Sequence, residues 1–209
     1  MSAEPGLLRL GVLVSGAGTN LQAILDTVHV RGEAAVVAVG SDVAAAAALA
    51  RAAAAGVPTS TFVSDRYDDR ASRDAAMADW LTEHGASLVV LAGYMRLLTP
   101  GFLARFPEAV INVHPSLLPA FPGPDAIGDA LAHGVKVFGV TVHFVDEGVD
   151  SGPIILQRAV ELPGARTAEE VHARLRELEH QMLPEAIRLI ARGALSFDAT
   201  SPRRVIVGS

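Results

Sequence analysis

Ile111-Asn112-Val113-His114-Pro115 is the most informative segment in this chain for chemistry. Side chains alternate along an extended strand, so Asn112 and His114 leave the same side two residues apart. An asparagine amide can donate to an oxyanion developing on a carbonyl carbon. A histidine titrating near neutrality can polarise that oxygen or protonate a leaving group. The plainer alternative is a pair of satisfied loop residues that fix the turn before Pro115.

Two further segments have comparable potential. Ser15-Gly16-Ala17-Gly18-Thr19-Asn20 follows a short apolar run and precedes helical spacing. Glycines there let backbone N–H groups approach an anion at a helix start, which suits a phosphate. A tight turn with Thr19 as cap is the alternative. As a dinucleotide fingerprint the segment is incomplete, because Leu21 stands where the third glycine belongs, and the lysine of a Walker loop is missing. The third segment, Asp146-Glu147-Gly148-Val149-Asp150-Ser151-Gly152-Pro153, offers carboxylates for metal binding, base chemistry or a solvated turn, but lacks the ligand alternation of a calcium loop.

Other polar residues read more plainly. Thr141 and His143 share a face of one strand, and a lone histidine there reads as a satisfied core residue. Arg66, Arg70 and Arg73, mixed with Asp65, Asp68, Asp69 and Asp74, read as a solvated helix face. On pattern alone Glu179 and His180 are surface residues of the last helix. None of the 7 histidines shows the spacing of a helical zinc motif, so no metal is expected.

The elements that must position these groups alternate. Leu8–Val14 reads as a strand, Thr19–Val28 as a helix, and Ala34–Val39 as a strand. Ser41-Asp42 is then placed to cap an alanine-rich helix that runs to Ala55. Thr59–Val63 is a short strand, and Tyr67–His84 an amphipathic helix. Ser87–Ala92 is apolar enough to be a strand covered on both faces. A helical turn follows Pro100, then strand Ala109–Val113, the proline-rich loop Pro115–Pro124 and helix Asp125–His133. Strands Lys136–Val145 and Ile154–Leu162 lead to a long helix, Ala168–Ala191, which Pro184 should kink or split. This order predicts an α/β fold with a doubly wound, largely parallel sheet, mixed in its C-terminal part, with helices on both faces.

Composition bounds the function. The chain has 209 residues, 50% of them hydrophobic, with no cysteine and a formal net charge of -6. One domain over 1–209 is expected, split into halves at about 106/107. Disorder is excluded, as are thiolate metal sites and cysteine nucleophiles. The acidic balance argues against nucleic-acid binding, and no apolar stretch is long enough for a membrane span. The start, Met1 to Gly6, lacks the features of a signal peptide, so a cytoplasmic protein is expected.

The segments VLVSGAGTNLQAI, VVLAGYMRLLTP, INVHPSLLPAFPG, GVTVHFVDEGVDSGPII and LEHQMLP, in this order between Val12 and about Arg192, resemble the phosphoribosylglycinamide formyltransferases, folate-dependent enzymes of purine biosynthesis. The resemblance implies a Rossmann-like formyltransferase fold with a phosphate-binding half up to about 106 and a catalytic and folate-binding half from about 107, and a catalytic set of Asn112, His114 and Asp150, with Asp150 holding His114 protonated. It implies that Gly18, Thr19 and Asn20 hold the phosphate of glycinamide ribonucleotide and that Glu179 binds its ribose hydroxyls. Met95, Arg96, Leu97 and Leu98, with Val145 and Asp146, would form the site of the co-substrate 10-formyltetrahydrofolate, whose glutamate carboxylates would meet Arg70 and Arg96. A homodimer is compatible with the resemblance. Asp125 departs from it, standing where the family usually has a histidine. Inward it would repel a phosphate; outward it would cap the next helix. Rivals are a formyltetrahydrofolate deformylase, for whose usual extra N-terminal domain no room is expected before Leu8, a nucleotide-binding oxidoreductase suggested by the first turn and Asp42, and a non-catalytic ligand-binding protein.

Overall fold

The computed structural model describes residues 6–208. The stretch Met1–Pro5, on which the reading of no signal peptide rests, lies outside them. Strands β1 (Leu8–Val14), β2 (Ala34–Ser41), β3 (Thr59–Thr61), β4 (Leu88–Leu91) and β5 (Val110–His114) are joined by helices α1 (Thr19–Ile24), α2 (Ala47–Ala54), α3 (Arg70–Glu83) and α4 (Pro100–Leu103). Helix α5 (Ala126–Ala132), strands β6 (Val137–Phe144) and β7 (Ile154–Glu161), helix α6 (Ala168–Ala191) and a final pair, β8 (Leu195–Asp198) and β9 (Ser201–Val207), complete the chain. The strands form one sheet in the order β3-β2-β1-β4-β5-β6-β7-β9-β8. Neighbours from β3 to β5 run parallel, and β6 then turns antiparallel to β5. The fold agrees with the α/β reading.

Alternation along the central strands builds two cores. Leu10, Val12 and Val14 of β1 face one side with Leu88 and Val90 of β4, while Leu13, Val89 and Leu91 face the other. The first side is covered by α1 and by Val171, Leu175, Met182, Leu183, Ala186 and Ile187 of α6. The second is covered by Met77, Ala78 and Leu81 of α3 and Phe102 of α4. Burial on both faces explains why β4 is wholly apolar.

The structure departs from the sequence reading in four places. Ser41 and Asp42 do not cap α2, which starts five residues after Asp42, at Ala47, with Ala46 at its N-cap position and no side-chain cap bond. Ser41 stays in β2, and the Asp42 carboxylate turns elsewhere. Helix α6 is not split at Pro184 but runs uninterrupted from Ala168 to Ala191. The proline lies buried between Leu183 and Ala186, and packing of that face outweighs the missing backbone bond. The first helix widens after Ile24 into a π-helical segment, Leu25–His29. The hairpin β8-β9 had no counterpart in the sequence reading. α6 starts with a capping box, Thr167 Oγ1 accepting from Glu170 N at 3.2 Å and Glu170 Oε2 from Thr167 N at 3.3 Å.

Candidate active site

Antiparallel pairing of β5 with β6 sets Asn112 opposite His143 and His114 opposite Thr141. All four belong to one side of the pair by the two-residue period. The loop after β6 then brings Asp150 over them. Asp150 has φ 48°, in the left-handed region where a non-glycine residue is strained, and such strain collects at functional sites. Its Oδ2 accepts from Gly123 N at 2.8 Å and faces His114 Nδ1 at 3.4 Å. Its Oδ1 lies 3.4 Å from Asn112 Nδ2 and 3.7 Å from His143 Nε2. Burial pushes the Asp150 carboxyl up, but the His143 hydrogen bond, the Gly123 amide and the two histidine charges outweigh it, and the net shift is downward.

His143 is buried and hydrogen-bonded as its reading as a satisfied core residue has it, and it also joins the cluster, which that reading did not foresee. Though 2% exposed, its ring faces Asn112 Nδ2 at 3.3 Å. The signal was available: Thr141 and His143 alternate as Asn112 and His114 do, on what proves to be the adjacent strand.

The proline-rich loop closes over His114. His114 Nε2 donates to the Phe121 carbonyl at 2.9 Å, and its Nδ1 faces the Asp150 carboxylate at 3.4 Å. The loop is pinned to the sheet through Thr141. Its Oγ1 donates to Ser116 O at 2.7 Å and accepts from Leu118 N at 3.1 Å and from Gln157 Nε2 at 2.9 Å. Gln157 Nε2 also donates to Leu118 O at 2.7 Å. On the other loop of the site, Arg203 of β9 donates to the Ser151 carbonyl. Asp125 is exposed at the N-cap position of α5, makes no cap bond and folds over Gly128, so neither the capping role nor a direct inward placement describes it.

At the end of β1, Gly18 holds φ 73°, and a β-carbon there would lie 2.5 Å from Ala48 Cβ and 2.7 Å from Ala48 Cα. Gly18 itself occupies the N-cap position of α1, with no side-chain cap, so Thr19 is the first helical residue and not the cap. Arg51 Nε donates to the Ala17 carbonyl at 2.8 Å and braces the turn from behind. Asn20 Nδ2 donates to Glu179 Oε2 at 2.8 Å, and both residues are buried, which corrects the surface reading of Glu179. Asn20 Oδ1 is buried with no hydrogen-bond partner among the described residues.

A third part of the site is a cleft of about 570 Å³ lined by Tyr67, Arg70, Arg73, Met95, Arg96 and Leu97, among others. Met95 and Leu97 are exposed apolar side chains. Leu98 and Val145 instead pack against the second core, and the Asp146 carboxylate accepts from Gly148 N and Ser151 Oγ in its own loop. The solvated-face reading fails for Arg73 and Asp74. They form a buried pair at 2.7 Å, and Asp74 Oδ2 accepts from Thr99 N at 2.8 Å, anchoring the segment after β4. Among the described residues no three histidine, aspartate or glutamate side chains gather as a metal ion would require, and no helix is long and apolar enough to cross a membrane.

The sequence model of the formyl transferase family matches residues 8–187, which include every element of this site except the Arg203 contact. The chain belongs to the formyl transferase family. It is 43% identical over 206 residues to a phosphoribosylglycinamide formyltransferase of Mycobacterium tuberculosis, covering 96% of this chain and 94% of that protein. It is 42% identical over 195 residues to the bovine trifunctional purine biosynthetic protein adenosine-3, but spans only 19% of that protein's length. The crystal structure of glycinamide ribonucleotide transformylase 1 from Symbiobacterium toebii superposes with a TM-score of 0.93 at 48% identity, covering 100% of this chain and 98% of the other. Within this formyl transferase, the sequence-predicted residues other than Leu98, Val145 and Asp146 fall into three groups: the Asp150 cluster, the glycine turn with Glu179, and the cleft beside Arg96.

Proposed function

We propose that this formyl transferase moves the formyl group from N10 of 10-formyltetrahydrofolate to the primary amine of glycinamide ribonucleotide, giving formylglycinamide ribonucleotide and tetrahydrofolate for purine biosynthesis. The observation that carries the reading is the convergence of Asn112, His114 and His143 on the Asp150 carboxylate at the end of β5. The names of its relatives supply the substrate class. Residues 1–209 act as one formyltransferase domain. The half up to about 106 holds the phosphate, the half from about 107 carries the catalytic set, and the folate site draws on both. A cysteine-free, acidic chain suits a cytoplasmic enzyme.

Gly18, Thr19 and Asn20 receive the ribonucleotide phosphate on backbone N–H groups at the start of α1, and Glu179 accepts from the ribose hydroxyls. Arg70 and Arg96 meet the carboxylates of the folate tail, and Met95 and Leu97 cover its apolar part. As the amine nitrogen bonds to the formyl carbon, negative charge grows on the formyl oxygen. Asn112 Nδ2 and a ring N–H of His114 donate to it. The His114 proton that reaches this oxygen is the one now given to the Phe121 carbonyl, so the proline-rich loop must yield it. Asp150 keeps His114 charged. A carboxylate surrounded by donors, its pKa shifted down, is a weak base, so the proton leaving the amine passes through water toward N10 as the carbon–N10 bond breaks.

The test is to mix the protein with 10-formyltetrahydrofolate with and without glycinamide ribonucleotide and follow folate absorbance together with formate. Transfer that requires the ribonucleotide and releases no formate supports the reading. Formate release without it would instead make the protein a deformylase. A nicotinamide oxidoreductase is disfavoured because Asp42, the acidic residue after β2 that would have to meet the cofactor's ribose, has both oxygens engaged by Ser15 and Arg96.

A further inference from the structure

Asp42 is assigned to no ligand by the family resemblance, yet its side chain is 3% exposed and joins three segments of the site. Its Oδ1 accepts from Ser15 Oγ at 2.6 Å, and Ser15 Oγ in turn accepts from Met95 N at 2.9 Å. Its Oδ2 accepts from Arg96 Nε at 2.9 Å. Ser15, Asp42 and the Met95-Arg96 pair follow β1, β2 and β4, neighbours in the order β2-β1-β4. They therefore share the carboxyl edge of the parallel strands, where open α/β sheets take their ligands. Arg96 is 56% exposed and uses only Nε on Asp42, so its two terminal nitrogens remain for the cleft it lines.

We propose that Asp42 is a positioning residue that sets the folate wall: it holds the Arg96 guanidinium with its outer edge toward an anionic tail and locks the Met95-Arg96 segment onto the glycine turn. The proposal rests on the folate reading of the cleft. Positioning and simple charge make opposite forecasts here. Asp42 is a negative group beside a site for anions, so on charge alone its removal tightens binding. If it positions Arg96, removal weakens binding, because an unheld arginine must be ordered by the ligand itself.

Asp42→Asn, nearly isosteric, decides between them. Titration calorimetry under anaerobic conditions, with tetrahydrofolate and with tetrahydropteroate, which lacks the glutamate, separates tail from ring. The expected result is a dissociation constant for tetrahydrofolate raised about tenfold, the size of one charge-assisted hydrogen bond, with that for tetrahydropteroate moving less than about threefold. In an Arg96→Met background Asp42→Asn should have no further effect, since it acts through the arginine. Ser15→Ala should shift tetrahydrofolate binding in the same direction by about threefold, and it carries the test if Asp42→Asn does not fold by circular dichroism. Tetrahydrofolate binding that is unchanged or tighter overturns the proposal. So does equal weakening of both ligands, or an effect that persists without Arg96. Wild-type protein that binds neither ligand overturns the folate reading, and the positioning role with it.

Discussion

Replacing Asp150 by asparagine changes one heavy atom at the centre of the cluster. The oxygen that accepts from Gly123 N at 2.8 Å and faces His114 Nδ1 at 3.4 Å can remain an amide oxygen. The new NH2 then takes the place of Oδ1 and points at His143 Nε2, 3.7 Å from that oxygen. In the variant, where Nε2 no longer faces a carboxylate, a His143 ring that keeps its proton on Nδ1, 2.7 Å from the Phe144 carbonyl, can accept from the new NH2 at Nε2. Asparagine also tolerates the left-handed backbone at φ 48°. Geometry should therefore survive, and stability should fall by only about 1 kcal/mol as charge-assisted bonds become neutral ones. Turnover should fall about 100- to 10,000-fold, roughly 3–5 kcal/mol of barrier, because the carboxylate no longer sustains a charged His114. The assay is single-turnover folate absorbance beside a denaturant titration. A folded variant within tenfold of wild-type kcat would refute the role given to Asp150. The stability gap has a pH signature. The folded-state pKa of Asp150 lies below its ordinary value of 3.8, so its stabilisation is complete above about pH 4 and is lost as pH falls through the folded pKa. The wild-type and Asp150→Asn unfolding curves should converge on acidification.

Gly18→Ala should cost at least about 2 kcal/mol, combining a left-handed backbone with a β-carbon 2.7 Å from Ala48 Cα, and should raise KM for the ribonucleotide; an unshifted denaturation midpoint would contradict both effects. Thr141→Val leaves Leu118 N and Gln157 Nε2 short of an acceptor and Ser116 O of a donor, and should lower stability by about 1–3 kcal/mol together with kcat, while Thr141→Ser retains most of both. Thr167→Ala should lower stability by about 1 kcal/mol through the lost cap of α6, with kcat unchanged, as thermal unfolding and initial rates would report.

What could be read from sequence is what has a short period. The alternation of β1, the unbroken apolar run of β4 and the limits of α6 all show in single windows because each element buries a regular face. Asn112 and His114 showed for the same reason. The misreadings concern groups whose partners are distant in sequence. Asp42 looked like a helix cap because Arg96, its partner 54 residues away, is invisible in a window. Arg73 and Asp74 looked solvated because a charged pair reads alike whether exposed or buried against Thr99. The hairpin β8-β9 was missed because Pro202 and the two arginines after it break the strand pattern; β9 meets β7 only through Ile154 and Arg204 and pairs chiefly with β8, so its place in the sheet depends on a partner strand and not on its own apolar period.

The Phe121 carbonyl on His114 has an energetic meaning of its own. On the proposed mechanism that acceptor sits where the formyl oxygen would go, so the His114 donor is not orphaned without substrate, and the formyl oxygen would only exchange one neutral carbonyl for another. That exchange is nearly even for the bound substrate. Once the oxygen becomes an oxyanion the same N–H donates to a charged acceptor, a bond roughly twice as strong. If His114 plays the proposed role, the loop would cancel its attraction for the ground state while leaving intact its preference for the transition state, which is the part of binding that speeds a reaction.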